Sequence, residues 1–322
     1  MIQAIAKDRT PEWHAARKTG VGASEAAAVC GLSRWETALD VWARKTGRVD
    51  GKLATPVMEL GTHLEPDLQA AVAREHEIRE ASPGLFRHPE IECVLASPDG
   101  VLADGRGLEL KVTSERNADI GDGVDDLPTE WLAQAEQQMA VCGFSAVLFG
   151  VAVLPEGVRE WLLDHLGPVG AAQAIGEGLR SGSVPLRFWT IDRNEKVIDG
   201  ILNRDVEFWR HVESDTPPQV DWEHAKACQA VKAAFSSIRD EEFVTLDDEA
   251  AALWEQRREQ KAIIKEAEKV CSRIDAEMFL RIQHAGGGVL PDGSKLKKIV
   301  VGDSVVPSYV RKGYTFFRQV KG

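Results

Sequence analysis

The spacing of apolar residues predicts a mixture of helices and strands over the first two thirds of the chain. Leu64, Leu68 and Val72 recur every four residues, so residues 61–77 are predicted to form a helix with one face toward a core. Glu65 lies at the edge of that face. Pro66 suits only the first turn of a helix, which predicts a bent helix start near Glu65.

Strand signals follow this helix. Residues 92–97 and 107–112 are short apolar segments separated by PDG and DGRG turns, a pattern typical of a β-hairpin. Residues 128–143 are predicted to form a helix that opens at a proline and closes at a glycine. The continuous apolar run at 145–154 predicts a buried strand.

Residues from about 193 to 213 and residues 221–284 are predicted to be mainly helical. Ser24 is a candidate N-cap of a short helix near the start of the chain. The segment SDTPPQV at 214–220 is the best linker candidate, so we expect a core domain at 1–214 and an extension at 221–322. The extension is expected to contain an antiparallel helical hairpin, packed on itself or on a neighbour, and a terminal β-hairpin.

Charge and cysteine content narrow the class of protein. Among 322 residues, 51 are acidic and 39 are basic, and a net charge of −12 taken alone disfavours nucleic-acid binding. Basic residues nevertheless exceed acidic ones by two in 1–60 and by five in 289–322. The five cysteines include no CxxC pair, which argues against a zinc ribbon and favours free thiols. No membrane span or signal peptide is evident, so a cytoplasmic protein is expected.

The stretch ASPDGVLADGRGLELKVT at 96–113 places charges inside an apolar setting. Glu109 and Lys111 are two residues apart, so in a strand they share a face. A hairpin would bring Asp99 opposite Glu109. Two carboxylates about 4 Å apart repel each other by roughly 4 kcal/mol at an effective dielectric of 20, and a divalent cation would offset both charges. Mg²⁺ prefers such hard oxygen ligands.

Two interpretations of this stretch compete. Glu109 and Lys111 could form a cross-strand surface pair, with Asp99 as a turn former. Alternatively, the carboxylates hold a metal that activates water against a phosphodiester, and the lysine stabilises the attacked phosphate. Glu65 then adds a third acid from the preceding helix, and Gln134 a neutral hydrogen-bonding group from the following helix.

Five segments together favour the second interpretation. In chain order they are WHAARKTGVGASE (13–25), GTHLEP (61–66), SPDG (97–100), GLELK (107–111) and PTEWLAQAEQQMAVCG (128–143). This series resembles the YqaJ-type viral recombinase family, to which bacteriophage lambda exonuclease is related, within the PD-(D/E)xK nuclease superfamily. The resemblance implies an α/β fold with a restriction-endonuclease-like core: a mixed, mainly antiparallel central sheet flanked by helices. A helical C-terminal extension ending in a β-hairpin would follow that core.

The resemblance also implies roles for the residues of the central hairpin. Asp99 and Glu109 match the metal-binding acids, and the backbone carbonyl of Leu110 would be a further ligand. Lys111 matches the catalytic lysine. The same resemblance gives catalytic roles to Glu65, as an acid that assists the metal and its water, and to Gln134.

A second set of residues would bind the end of the substrate. Arg17 and Ser24 match the family's pocket for a 5′-terminal phosphate, and guanidinium and hydroxyl groups suit an anion. The alternatives are a surface arginine and a plain helix N-cap. Trp131 departs from the pattern, because the family usually has a tyrosine three residues before the active-site glutamine.

The expected function is Mg²⁺-dependent 5′ to 3′ exonuclease action on double-stranded DNA, leaving 3′ single-stranded overhangs for recombination. Two metal ions per site during catalysis, with Mn²⁺ as a substitute for Mg²⁺, are expected. The resemblance further implies a ring-shaped homotrimer, a single-strand annealing partner and a phage-infected or prophage-bearing bacterial host. The alternatives are a structure-selective or single-strand nuclease with the same site, and a non-catalytic phage DNA-binding protein.

Overall fold

The computed structural model describes residues 3–51, 54–114, 123–237 and 243–299. The chain divides into two compact units, Met1–Ser237 and Ile238–Gly322. All five cysteines are free thiols, as expected. Among the described helices, none is long and apolar enough to cross a membrane.

The strands, in chain order, are β1 (Val21–Gly22), β2 (Ile78–Ala81), β3 (Phe86–Arg87), β4 (Val94–Ala96), β5 (Gly100–Leu102), β6 (Gly107–Ser114), β7 (Ala146–Leu154), β8 (Leu186–Asp192), β9 (Gly287–Val289) and β10 (Lys295–Lys297). The α-helices are α1 (Pro11–Ala16), α2 (Ala26–Val29), α3 (Ala38–Lys45), α4 (Pro56–Val72), α5 (Thr129–Cys142), α6 (Val158–Ser181), α7 (Glu195–Glu213), α8 (Ala227–Phe235) and α9 (Asp248–Ile282). Helix α6 is interrupted at Gly167, whose φ is +66°.

A five-stranded mixed sheet forms the centre of the first unit, in the order β2-β5-β6-β7-β8. Only the β6–β7 pair is parallel, and the other pairs are antiparallel. Every residue of β7 is buried, which confirms the strand predicted from the apolar run. Helices α4 and α6 pack on one face of the sheet, and α5 and α7 pack on the other. The predicted α/β class, with a mixed and mainly antiparallel sheet between helices, is confirmed.

The prediction that residues 92–97 and 107–112 pair in one hairpin is wrong, because the two segments lie in different sheets. Strand β4 belongs to a separate three-stranded sheet, in the order β1-β4-β3. The partner of β6 is β5, which begins directly after Asp99. The chain crosses from one sheet to the other at residues 97–99, so Asp99 lies directly before the first residue of β5.

Helix α4 differs from the prediction at both its start and its proline. It begins at Pro56 and continues through Pro66, where a bent start was expected. Pro66 is exposed, so the helix tolerates the missing backbone donor on its solvent side. Leu60, Leu64 and Leu68 are buried against the sheet, and this packing outweighs the local preference of proline.

Helix α8 lies in the first unit and helix α9 in the second, and the expected helical hairpin stays a prediction. Ala230 and Ala234 of α8 are buried with Trp42 of α3, inside the first unit. Helix α9 of the second unit has no buried residue. Strands β9 and β10 form a short antiparallel hairpin, while residues 300–322 of the predicted terminal hairpin lie outside the described residues. The division into domains 1–214 and 221–322 stays a prediction.

Asp205 on α7 is fully buried, and neither carboxyl oxygen has a hydrogen-bond partner in the described parts of the chain. Burial and the nearby Glu25 raise the pKa of Asp205 well above its usual range, against a smaller opposing effect of Lys45. Since an unfolded aspartate titrates near pH 4, this group favours folding only below that pH. Stability is lost as the pH rises from there through the folded pKa.

Asp205→Asn is therefore expected to raise the free energy of unfolding at pH 8 by roughly 1–3 kcal/mol, because it removes an acid that the folded protein can bury only by taking up a proton or by holding an unpaired charge. Urea unfolding of both proteins at pH 5 and pH 8 measures this. The gain should be larger at pH 8 than at pH 5. An equal gain at both pH values would show that folding does not raise the pKa of Asp205, because a raised folded pKa makes the wild-type protein progressively less stable between these two pH values.

Candidate active site

The register of the central sheet brings Asp99 to β6. Gly100 pairs with Leu108, and β5 does not extend beyond this pair. Asp99, which precedes β5, also forms hydrogen bonds to β6. Its backbone N–H donates to the Leu108 carbonyl (3.0 Å), and its Oδ2 accepts from the backbone N–H of Leu110 (2.7 Å). Asp99 therefore ends the pairing of β5 with β6.

Glu109 occupies the next position on β6 and is buried. Its Oε1 accepts from Lys111 Nζ (2.5 Å) and from Gln134 Nε2 (2.6 Å), and its Oε2 accepts from Gln138 Nε2 (2.7 Å). Lys111 Nζ also donates to Gln134 Oε1 (3.1 Å). The shared face predicted for Glu109 and Lys111 is thus observed, and α5 supplies two amide groups that fix the carboxylate.

The charge of Glu109 acts on Asp99, the other predicted metal acid. Burial raises the pKa of Asp99 well above its usual range, and the charge of Glu109 raises it further, while Lys111 and the Leu110 N–H oppose the shift. A carboxyl in this position is stabilised in its charged form by an additional nearby cation. The surface-pair interpretation of Glu109 and Lys111 does not fit a buried glutamate held by three donors.

Glu65 lies on the inward side of α4 and is buried. Its Oε2 pairs with Arg9 Nη2, and its Oε1 accepts from Ser82 Oγ (2.9 Å) and Gln69 Nε2 (3.4 Å). Gln69 Nε2 also donates to the Asp99 carbonyl (3.2 Å). Glu65 therefore lies beside the site and is linked to the backbone of Asp99.

Arg17 and Ser24 are in direct contact with each other. Arg17 Nη2 donates to Ser24 Oγ (3.1 Å), and the Arg17 guanidinium lies 4.7 Å from the centre of the Trp13 ring. Ser24 lies within a short 3₁₀ helix at 23–25, and the N-cap of α2 is Glu25. The predicted N-cap role of Ser24 is therefore wrong, and its hydroxyl instead faces Arg17.

A buried ion network supports this part of the site. Glu25 Oε2 accepts from the Gly22 backbone N–H (2.9 Å) and pairs with Lys45 Nζ (2.7 Å). Lys45 Nζ also donates to the Arg17 carbonyl (2.7 Å). Although burial opposes the charged form, Lys45 and Arg17 hold the pKa of Glu25 below its usual value.

One cavity of about 300 Å³ gathers most of the predicted residues. Its lining includes Arg17, Ser24, Glu65, Asp99, Glu109, Lys111 and Gln134, together with Asp8, Arg9, Trp13, Ser82 and Ser97. Asp99 and Glu109 thus share one cavity with both the lysine and the predicted phosphate pocket. This convergence would be absent if the two carboxylates pointed to opposite faces of the sheet.

Two further observations concern Trp131 and the metal ligands. Trp131 does not line the cavity; its ring stacks on Phe149, with centres 5.7 Å apart and an interplanar angle of 8°. Within the described parts of the chain, no group of three or more His, Cys, Asp or Glu side chains is gathered closely enough to hold a metal ion. The predicted ligand set, Asp99, Glu109 and the backbone carbonyl of Leu110, requires only two such side chains.

Sequence reasoning missed several residues that the structure brings to the site. Gln138 follows Gln134 by four residues, so a helical spacing could have revealed it. Gln69 follows Glu65 by the same interval. Arg9 and Ser82 carry no such signal, because they reach the site through long-range contacts.

Residues 12–145 match the family model of the YqaJ-like viral recombinase domain. This match confirms the resemblance predicted from the five segments, all of which lie within the matched residues, and a YqaJ-like recombinase domain indicates a nuclease. The chain is also 25% identical to an uncharacterized protein YqaJ of Bacillus subtilis (strain 168) over 285 residues, 85% of this chain and 77% of that protein.

Two solved structures are also similar to part of this chain. The alkaline exonuclease from Laribacter hongkongensis is 22% identical with a TM-score of 0.48, over 64% of this chain and 94% of that one. A phage-related exonuclease from Haemophilus somnus 129PT is 13% identical with a TM-score of 0.42, over 61% of this chain and 96% of that one.

Proposed function

We propose that the protein is a Mg²⁺-dependent exonuclease that digests double-stranded DNA from a 5′-phosphorylated end and leaves a 3′ single-stranded overhang. The observation that carries this proposal is the convergence of Asp99, Glu109 and Lys111 on one cavity that also contains Arg17 and Ser24. The match to the YqaJ-like viral recombinase domain supports the same activity.

The donor set fits a hard divalent cation. Asp99 and Glu109 supply carboxylate oxygens, and burial together with the charge of Glu109 raises the pKa of Asp99, an effect that a bound cation would offset. The Leu110 N–H faces Asp99, and in a strand the N–H and C=O of one residue point the same way. The Leu110 carbonyl is thereby directed toward Asp99, which supports its predicted role as a ligand.

The chemistry divides among these residues. A bound Mg²⁺ supplies polarisation of the scissile phosphate and acidifies water. Lys111 places a positive charge beside Glu109, where it can orient the attacking water and stabilise charge on the phosphate oxygens. Gln134 and Gln138 hold the Glu109 carboxylate in one orientation. Glu65 would assist the water network from the neighbouring side of the cavity.

The proposed polarity rests on Arg17 and Ser24. A guanidinium and a hydroxyl 3.1 Å apart form a suitable pair of donors for a terminal phosphate. Trp13 holds the guanidinium by stacking, and Lys45 fixes the backbone of Arg17 through its carbonyl. The ring-shaped homotrimer, the number of metal ions and the annealing partner stay predictions of the resemblance.

The test is digestion of linear duplex DNA that carries either a 5′-phosphate or a 5′-hydroxyl. Wild-type protein with Mg²⁺ is expected to digest the phosphorylated strand at least about tenfold faster, and Arg17→Met is expected to abolish this preference, because it removes the charged donor. Omission of Mg²⁺ should stop digestion of both substrates. Equal rates on both ends by the wild-type protein would instead favour a structure-selective or single-strand nuclease.

The amide of Gln138 gives a separate prediction. Gln138→Ala removes the donor to Glu109 Oε2, so the carboxylate loses one of its fixed contacts. Residues that orient a ligand in this way typically change metal affinity or activity by 10–100-fold. Calorimetric titration with Mn²⁺ and digestion assays should both show a loss in this range. Unchanged metal affinity and rate would show that Gln134 and Lys111 alone fix the carboxylate.

A further inference from the structure

Arg9 lines the cavity, and hydrogen bonds fix the chain both before and after it. Before it, Ala6 forms a β-bridge with Leu85, with the Ile5 N–H donating to the Leu85 carbonyl (2.7 Å) and the Leu85 N–H donating to the Ala6 carbonyl (2.9 Å). After it, Thr10 caps α1 by accepting from the Trp13 N–H (3.2 Å). Arg9 itself has a φ of +55°, so its position depends on these two anchors.

The bridge also depends on a glycine. Gly84 has a φ of +104°, and a Cβ at this position would lie 2.3 Å from the Ala6 carbonyl oxygen. The close approach of the two chains is thus possible only without a side chain. The segment that carries Arg9 is a fixed part of the cavity wall.

The Arg9 guanidinium has capacity beyond its present contacts. Its Nη2 pairs with Glu65 Oε2, and its Nε lies 3.5 Å from Asp8 Oδ2. Among the described residues, no partner of Nη1 is found, and 48% of the side chain is exposed. Burial lowers the pKa of the Arg9 guanidinium, but the negative charges of Glu65, Asp8 and Asp99 raise it by more. The charge of Arg9 therefore also interacts with Asp99.

The charges that line the cavity explain why a cation beside Glu65 would help to bind DNA. Its lining contains the four carboxylates of Asp8, Glu65, Asp99 and Glu109 and the three cations of Arg9, Arg17 and Lys111. The charge of Lys111 is directed to Glu109, and Arg17 is paired with Ser24. A DNA backbone entering beside Glu65 therefore meets the carboxylates of Asp8 and Glu65, with Arg9 as the cation at that place.

We propose that Arg9 binds an internal phosphodiester of the digested strand, as a second phosphate contact beside the terminal-phosphate pair of Arg17 and Ser24. This proposal rests on the proposed function for its substrate. It assigns a distinct task to each arginine: Arg17 recognises the end of the strand, and Arg9 binds the backbone irrespective of how the strand ends. The Glu65 carboxylate, fixed by Ser82 and Gln69, holds the guanidinium in place.

The test measures DNA binding rather than cleavage. Fluorescence anisotropy follows 3′-labelled duplex, with a 5′-phosphate or a 5′-hydroxyl, in EDTA across a series of salt concentrations. Arg9→Met is expected to weaken binding about tenfold for both duplexes and to lower the slope of log K against log salt by about one, because one phosphate contact is lost. Arg17→Met is expected to weaken binding only of the phosphorylated duplex.

The matched control is Arg79→Met, which removes an exposed arginine on β2 outside the cavity and should leave affinity and slope close to wild type. If Arg9→Met does not fold, Arg9→Lys replaces it; this variant keeps the charge, so it should retain the slope while losing part of the affinity. Unchanged affinity and slope in Arg9→Met, with a fall in kcat alone, would overturn the proposal and leave Arg9 a positioning residue for Glu65. DNA binding is measured in EDTA, without metal. The result for Arg9→Met therefore does not depend on whether the wild-type protein digests DNA, and the two proposals can fail separately.

Discussion

Lys111→Ala is expected to lower the rate of DNA hydrolysis by about 10³-fold at saturating Mg²⁺ and DNA. The ammonium lies 2.5 Å from Glu109 Oε1 in the common cavity, so its removal takes away the positive charge nearest to the proposed site of attack. Loss of one preorganised electrostatic group typically lowers kcat by 10²–10³-fold or more. Gln134 and Gln138 still hold Glu109 in the variant, so the fold should persist.

The measurement is single-turnover digestion of end-labelled duplex by wild type, Lys111→Ala and Lys196→Ala. Lys196 is an exposed lysine in the first turn of α7, and its variant should digest DNA at the wild-type rate. DNA binding in EDTA should change little in Lys111→Ala, which separates a loss of chemistry from a loss of substrate. A rate within threefold of wild type would remove Lys111 from the mechanism.

Glu25→Ala is expected to lower the free energy of unfolding by about 3–5 kcal/mol, because it leaves a buried lysine without its partner. Only 5% of the Lys45 side chain is exposed, and Glu25 is its paired carboxylate. The substitution also removes the acceptor of the Gly22 N–H. Since Lys45 holds the Arg17 carbonyl, loss of this network should also loosen the proposed terminal-phosphate pocket.

Urea unfolding monitored by tryptophan fluorescence measures this effect. Glu59→Ala removes an exposed glutamate from the first turn of α4 and should change stability by no more than about 0.5 kcal/mol. The double variant Glu25→Gln/Lys45→Met should recover part of the loss, because it removes both buried charges together. A loss below 1 kcal/mol in Glu25→Ala would show that Lys45 finds another partner or reaches water.

The elements with strong local signals could be predicted from the sequence. Strand β7 is a continuous apolar run, and α5 is bounded by Pro128 and by Gly143, whose φ is +73°. Where tertiary packing outweighs a local rule, the prediction was wrong: α4 continues through Pro66 because its apolar side is buried against the sheet. The partner of β6 was also misassigned, because turn signals show where a chain reverses but not to which sheet a strand belongs.

The candidate site shows a similar division. Glu109 and Lys111 share a face because the side-chain period of a strand is two, and this follows from spacing alone. The position of Asp99 depends on the change of sheet at residues 97–99, so its contact with the Leu110 N–H required the structure. Arg9, Ser82 and Asp205 were not predictable, since their partners are distant in sequence or, for Asp205, absent among the described residues.

The most direct test of the account is anomalous diffraction from crystals of the protein soaked in Mn²⁺. The account predicts a Mn²⁺ peak at a bonding distance of about 2.1 Å from a carboxylate oxygen of Asp99 and one of Glu109, with the Leu110 carbonyl as a further ligand. A crystal of Asp99→Asn should lose this peak. A Mn²⁺ peak elsewhere in a protein that digests DNA, with none between Asp99 and Glu109, would contradict the account.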